Sequence, residues 1–237
     1  MRSFVIGAAL FLLTGPGAAG EECVPLQVLR WESGARVVSQ NGGFENATQP
    51  PLPHWAFWQR GYNIASGGRA GGRSIVCVSQ DESLQYGASQ EIVLNQTEPR
   101  PLLARGWSKA QGVTGPPDSN YSIYLDLIYT DGTPLWGRTG NFSTGSHDWE
   151  RREVRVVPEK PIAKVIVHAL FRHHRGTVWF DDFELRELSP PGRAAFYDGL
   201  LVVPSHAPEL RQHPTKTVAI GPEAGWRLHL DRRTGGL

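Results

Sequence analysis

The stretch GTVWFDDFELREL, residues 176–188, decides the fold class. Aromatic, β-branched and other apolar residues dominate it, and the turn-like RHHRG (172–176) precedes it, which is how a strand reads. Two adjacent carboxylates, Asp181 and Asp182, interrupt the apolar run. Successive side chains of a strand point to opposite faces. An unbroken alternation groups Asp181 with Trp179, Phe183 and Leu185, and Asp182 with Phe180 and Glu184. The first of these faces is the more apolar. A dry, unpaired carboxylate is costly, so Asp181 needs a partner.

Outward from this strand, similar short runs recur at 73–79, 90–94, 102–109, 122–129, 153–157 and 164–171, separated by Gly, Pro, Asn and Asp. A further short run at 37–38 leads into NGGFE, while TDGTPLWG (130–137) reads as a turn. No amphipathic helix and no internal repeat stands out. About eight strands at this spacing predict an all-β sandwich or jelly roll. The SPPG segment (189–192) reads as a linker, so the sandwich is expected over 37–188. Residues 189–237 are expected to hold that linker and the start of an incomplete second β domain.

Composition agrees. The 237 residues include 27 Gly, 18 Pro and eight Trp, a mixture that fits a packed β fold better than disorder. The net charge of +1 carries no basic block, so nothing in it suggests nucleic acid or an anionic membrane. Arg2, the apolar run 4–13 and the small residues Ala18-Ala19-Gly20 read as a signal peptide over 1–20, too short to span a bilayer, so secretion without membrane insertion is expected. Four N-x-[ST] sequons, at Asn46, Asn95, Asn120 and Asn141, fit a glycoprotein if the source is a eukaryote. Cys23 and Cys77 could bridge in an oxidising compartment, or Cys77 could be a free buried thiol; the sequence leaves both open.

Taken in order, NGGFEN (41–46), GGRAGGRSIVC (67–77), LLARGWSKAQG (102–112), YSIYLDLIYTDGT (121–133), HDWERREVRVVPEKPIAKVIVHALF (147–171) and GTVWFDDFELREL resemble a known family. They look like carbohydrate-binding modules of the galactose-binding-like jelly-roll superfamily, which has xylan- and cellulose-binding members. The resemblance spans about 37–188 and implies that Trp149 packs in the core. It also implies a structural calcium between the first strand and the last. The Glu of GFE and the first Asp of FDD, here Glu45 and Asp181, would hold it together with carbonyls within 67–72. Calcium prefers six to eight oxygen ligands of this kind. Pairing of Asp181 with Arg69 or Arg73 is the alternative.

Sugar sites stack aromatic faces on pyranose rings and give the hydroxyls to polar side chains. In AKVIVHALFR, the alternation places Ala163, Val165, Val167 and Ala169 inward, with His168, Leu170 and Arg172 outward. In SIYLDLIY it leaves Tyr124, Asp126 and Ile128 outward, and in LLARGWSK it groups Arg105, Trp107 and Lys109. Trp107, Tyr124, Asp126, His168 and Arg172 are therefore expected on one platform, unless Trp107 is core. Trp58 or Tyr62, from PHWAFWQRGYN (53–63), is expected to add a stacking ring, with Trp136 a similar case.

Catalytic signatures are weak. G-x-S-x-G, H-E-x-x-H and phosphate-loop patterns are missing, His173-His174 lack further zinc ligands, and adjacent strand carboxylates cannot flank one glycosidic bond. The expected function is a secreted, non-catalytic polysaccharide or glycan binder, the N-terminal part of a larger carbohydrate-active protein in which a catalytic domain could follow downstream. An adhesion or scaffold ectodomain of the same fold that binds protein is the alternative.

Overall fold

The computed structural model describes residues 26–32, 34–46, 48–189, 195–197, 200–204, 217–220 and 228–231. The expected signal segment, Cys23 and most of the expected second domain lie outside these residues. The described residues form sixteen strands and no helix. In chain order they are β1 (Leu26–Leu29), β2 (Ala35–Val37), β3 (Ala56–Phe57), β4 (Asn63–Ser66), β5 (Arg73–Ser79), β6 (Gln85–Val93), β7 (Leu102–Val113) and β8 (Tyr121–Tyr129). There follow β9 (Pro134–Asn141), β10 (Gly145–Val156), β11 (Ile162–Arg172), β12 (Gly176–Leu188), β13 (Ala195–Tyr197), β14 (Leu200–Pro204), β15 (Thr217–Ile220) and β16 (Leu228–Asp231).

Two compact units divide the chain: Gly34–Ser189, and Met1–Ser33 together with Pro190–Leu237. In the second unit β1 pairs with β14 and β14 with β13, while β15 pairs with β16. The first unit is an antiparallel sandwich. One sheet runs β10-β7-β12-β5-β4, with β2 also paired to β12; the other runs β3-β6-β11-β8-β9. Strands consecutive in sequence, such as β7 and β8, fall in different sheets, so the chain crosses between layers in jelly-roll fashion.

Alternation builds the core between the layers. β8 turns Tyr121, Ile123, Leu125, Leu127 and Tyr129 inward, and β11 contributes Val165, Val167, Ala169 and Phe171. From the opposite sheet come Leu102, Ala104, Ala110, Val178, Phe180, Phe183 and Leu185.

β12 departs from the expected alternation. Asp181 is opposite Trp107 and Glu184 opposite Arg105, so three steps on β12 match two on β7. The extra residue is a β-bulge at Asp182, whose φ is +51°. The bulge reverses the parity beyond it. Phe183 and Leu185 therefore join Phe180 on the core face, with the Phe180 and Phe183 rings edge to face at 5.7 Å. Asp181 shares the outer face with Trp179, and the grouping of Asp181 with Phe183 and Leu185 is corrected.

Two further expectations change. The segment 134–141, read partly as a turn, is edge strand β9; Pro134 and two glycines hide its pattern, and an edge position tolerates them. Trp149 is half-buried and lies outside the core cluster, because it falls within a shift of the β10–β7 register, between His147 and Glu150. Cys77 is a free thiol, 1% exposed, whose Sγ lies 3.8 Å from the Gly61 carbonyl oxygen. Burial pushes its pKa up, and its possible partner Cys23 lies outside the described residues.

Candidate functional site

The outer face of the β3-β6-β11-β8-β9 sheet carries an aromatic and polar platform. β11 and β8 place His168 opposite Tyr124, and β6 places Ser89 on the other side of His168. Trp58 follows β3, and its N–H donates to the Gly87 carbonyl at 3.0 Å, which brings its ring to the same face. The His168 ring stands between two aromatic neighbours, Trp58 at 6.1 Å and Tyr124 at 5.9 Å, both nearly perpendicular to it. Arg172 also contacts both: its guanidinium carbon lies 5.8 Å from the Trp58 ring centre and 5.7 Å from that of Tyr124.

Polar contacts hold these groups in place. Arg172 Nε donates to Asn120 Oδ1 at 2.8 Å, and Asn120 Nδ2 donates to Asp118 Oδ2 at 2.8 Å. Burial alone would raise the Asp118 carboxyl, but hydrogen bonds from His174 and Asn120 outweigh it and hold the group below the usual carboxylate range. At the other end, Asp126 Oδ1 accepts the Gly137 N–H at 3.1 Å, and its Oδ2 lies 3.7 Å from His168 Nε2. His168 is 7% exposed, and its buried Nδ1 has no hydrogen-bond partner. Exposed Trp136 immediately precedes Gly137 on the edge strand.

Of the residues expected on one platform, the structure unites Tyr124, Asp126, His168, Arg172 and Trp58. Trp107 is excluded from it because β7 belongs to the opposite sheet. There Trp107 is half-buried on the outer surface, opposite Asp181, with the Arg69 guanidinium 4.6 Å over its ring. It is neither core nor part of the platform. Tyr62 is 4% exposed; its hydroxyl accepts the Leu52 N–H at 2.8 Å and donates to the Trp55 carbonyl at 2.9 Å, so it is structural. In the sequence Asn120 reads only as a sequon, and its role as anchor of Arg172 has no sequence signal. His174 is buried against the Thr114 carbonyl and Asp118, and His173 is exposed.

A second cluster surrounds the bulge. Asp181 is 3% exposed, and its carboxylate accepts the Arg69 N–H and the Asp182 N–H, each at 2.7 Å. Burial raises its pKa to about 6, with a smaller contribution from the negative charges of Asp182 and Glu45. Arg69 pairs its guanidinium with Asp182 at 2.5 Å, while Arg73 pairs with Glu45 at 3.7 Å. The arginine alternative for Asp181 is thus replaced by a backbone contact. Glu45 Oε1 also accepts the Arg73 N–H at 2.8 Å. The loop between them must be glycine at Gly68, where a Cβ would fall 2.2 Å from the Arg73 carbonyl oxygen and 2.7 Å from Asp181 Oδ2; a Cβ on Gly72 would fall 1.8 Å from Glu45 Oε1 and displace that side chain. Among the described residues no three His, Cys, Asp or Glu side chains gather as a metal cluster. The carboxylate oxygens of Glu45 and Asp181 are hard donors of the kind calcium takes.

Comparison with known proteins adds the following. No family model matches the chain. A stretch of 103 residues, 41% of this chain, is 37% identical to the tRNA nuclease WapA of Bacillus subtilis strain 168, and equally to the tRNA3(Ser)-specific nuclease WapA of Bacillus spizizenii. The match spans about 4% of the length of these relatives. Similar solved structures include the xylan-binding CBM22-1 domain of Paenibacillus barcinonensis Xyn10C (13% identity, 66% of this chain and 97% of that one, TM-score 0.49). They also include a CBM61 module with β-1,4-galactotriose (22%, 63% and 97%, 0.42) and a cyclase from Fischerella sp. TAU (12%, 65% and 97%, 0.48). The jelly-roll carbohydrate-binding modules resembled in the sequence are thus among the similar structures.

Proposed function

We propose that Gly34–Ser189 is a non-catalytic module that binds polysaccharide or glycan on the outer face of the β3-β6-β11-β8-β9 sheet, in a secreted protein with further domains. The observation that carries this reading is the grouping of Trp58, Tyr124, His168 and Arg172 within contact distance on one open sheet face. Two rings offer stacking surfaces to sugars, and Asp126, Asn120 and Arg172 supply acceptors and donors for hydroxyls. Calcium at Glu45 and Asp181 has a structural role in this proposal. When bound it would neutralise carboxylates brought together from opposite ends of the module.

Glycan-array and polysaccharide pull-down measurements on the chain test the reading. Trp58→Ala or Tyr124→Ala should weaken binding by about 1–3 kcal/mol, as expected for a stacking hot spot. Trp107→Ala, on the other sheet, should leave binding unchanged. Loss of binding through Trp107 alone, or a preference for tRNA over every glycan, would overturn it.

A further inference from the structure

Arg172 stands apart from the other arginines of the sandwich. Among the described residues, the half-buried arginines Arg73, Arg100, Arg105, Arg152 and Arg186 each pair with a carboxylate. Arg172 is also half-buried and has no carboxylate partner. Its Nε is fixed by Asn120 Oδ1, and Asp118 fixes Asn120 in turn by accepting from Nδ2. The Nη donors bond to nothing among the described residues. A half-desolvated guanidinium is ordinarily paired, since losing water without gaining a counter-charge is unfavourable. Here Trp58 and Tyr124 supply only the attraction of their ring faces.

Asp118 reaches Arg172 only through Asn120, and the carboxylate farther along this face does not answer the charge either. Asp126 is opposite Ile166 on β11, six residues from Arg172, or about 20 Å along an extended strand. It is occupied there by the Gly137 N–H and by His168. The platform is therefore polar along its length, with a free positive fork at one end and an engaged carboxylate at the other. A planar fork held at Nε with its Nη donors open matches a carboxylate bidentately, which a sugar hydroxyl matches less well.

Resting on the glycan-binding reading, we propose that the ligand class is acidic: a saccharide bearing a uronic acid whose carboxylate pairs with Arg172 between Trp58 and Tyr124. The bound carboxylate supplies the counter-charge that the protein withholds.

Matched pairs of oligosaccharides provide the test: oligogalacturonide, glucuronoxylan oligosaccharide and oligomannuronate, each against its own carboxyl-reduced form, titrated against the full chain. In at least one pair the acidic form should bind about tenfold or more tighter, the lower range for a charge-assisted hydrogen bond. The gap should shrink at an ionic strength of about 1 M, where the Debye length is about 3 Å. Arg172→Gln should abolish the gap, weakening the acidic form about tenfold more than its reduced form, and Arg172→Lys should restore part of it. An unchanged melting temperature in each variant shows that folding is intact. Equal binding of acidic and reduced forms, with Arg172→Gln weakening both, would overturn the acidic class and leave glycan binding standing. Failure of every acidic and every neutral glycan on the array would overturn both.

Discussion

Asp181 shows what a single residue's surroundings do to its chemistry. Its folded pKa, about 6, lies above the ordinary carboxylate value because burial opposes the ion. The folded state therefore holds a proton that the unfolded state has lost across roughly pH 4 to 6. Stability from this group is present below pH 4 and falls as pH rises through 6, by on the order of 2 kcal/mol for a shift of this size. Asp181→Asn removes the titration. In chelator, the stability of the variant relative to the wild type should accordingly rise between pH 4 and pH 7, measured by denaturant unfolding at each pH. Saturating calcium should reverse the trend for the wild type, because the ion favours the ionised carboxylate and binds only the folded state. A relative stability that is flat with pH in chelator would remove Asp181 from this account. That Asp181 needed compensation was legible in the sequence, since a carboxylate beside Trp179 on an apolar strand raises the question by itself. Its surroundings were not, because the bulge at Asp182 depends on one positive φ, and Asp is among the few non-glycine residues that adopt it readily.

At the scale of elements, alternation told inward from outward but not one sheet from the other. The parity of β8, and of β11 from Val165 onward, was legible, so Tyr124, Asp126, His168 and Arg172 emerge together; a register shift at the start of β11 puts Ile162 in the core where Ala163 was expected. Trp107 has the same outward parity on β7 but looks away from them, because hydrogen-bond partners far along the chain decide sheet membership. The loop PHWAFWQRGYN sorts its aromatics by a similar non-local logic. Trp55 packs on Phe44 and Phe183 at 5.1 and 6.1 Å, Tyr62 ties the loop together, and Trp58 is left for the surface. Tyr62→Phe should separate the two roles. Without the hydroxyl, the Leu52 N–H and Trp55 carbonyl lose a buried partner, which costs about 1–3 kcal/mol. Thermal unfolding should register that loss, while glycan affinity below the transition stays at the wild-type value. A variant as stable as the wild type but weakened in binding would return Tyr62 to the ligand site.

Across the whole molecule, the hydrogen-bond ladders mark what can stand alone. Every ladder partner of β2 through β12 lies within Gly34–Ser189. That segment closes a core from both sheets, and a chain of this size buries about 70% of its surface on folding, enough for an independent domain. The pairing of β1 with β14 was not legible in the sequence, because a four-residue strand near the start carries no mark of a partner some 170 residues later. Excision of residues 34–189 should therefore give a protein that unfolds in one cooperative transition. Its midpoint should fall within a few degrees of the sandwich transition in the full chain, and its glycan affinity should match. The argument depends on the ladders being self-contained and not merely on compactness. Reverting the excised module step by step to the full chain should then change neither property. A large drop in midpoint that is recovered only when residues 26–33 and 190–204 return would mean that the sandwich draws stability from strands outside its own sheets.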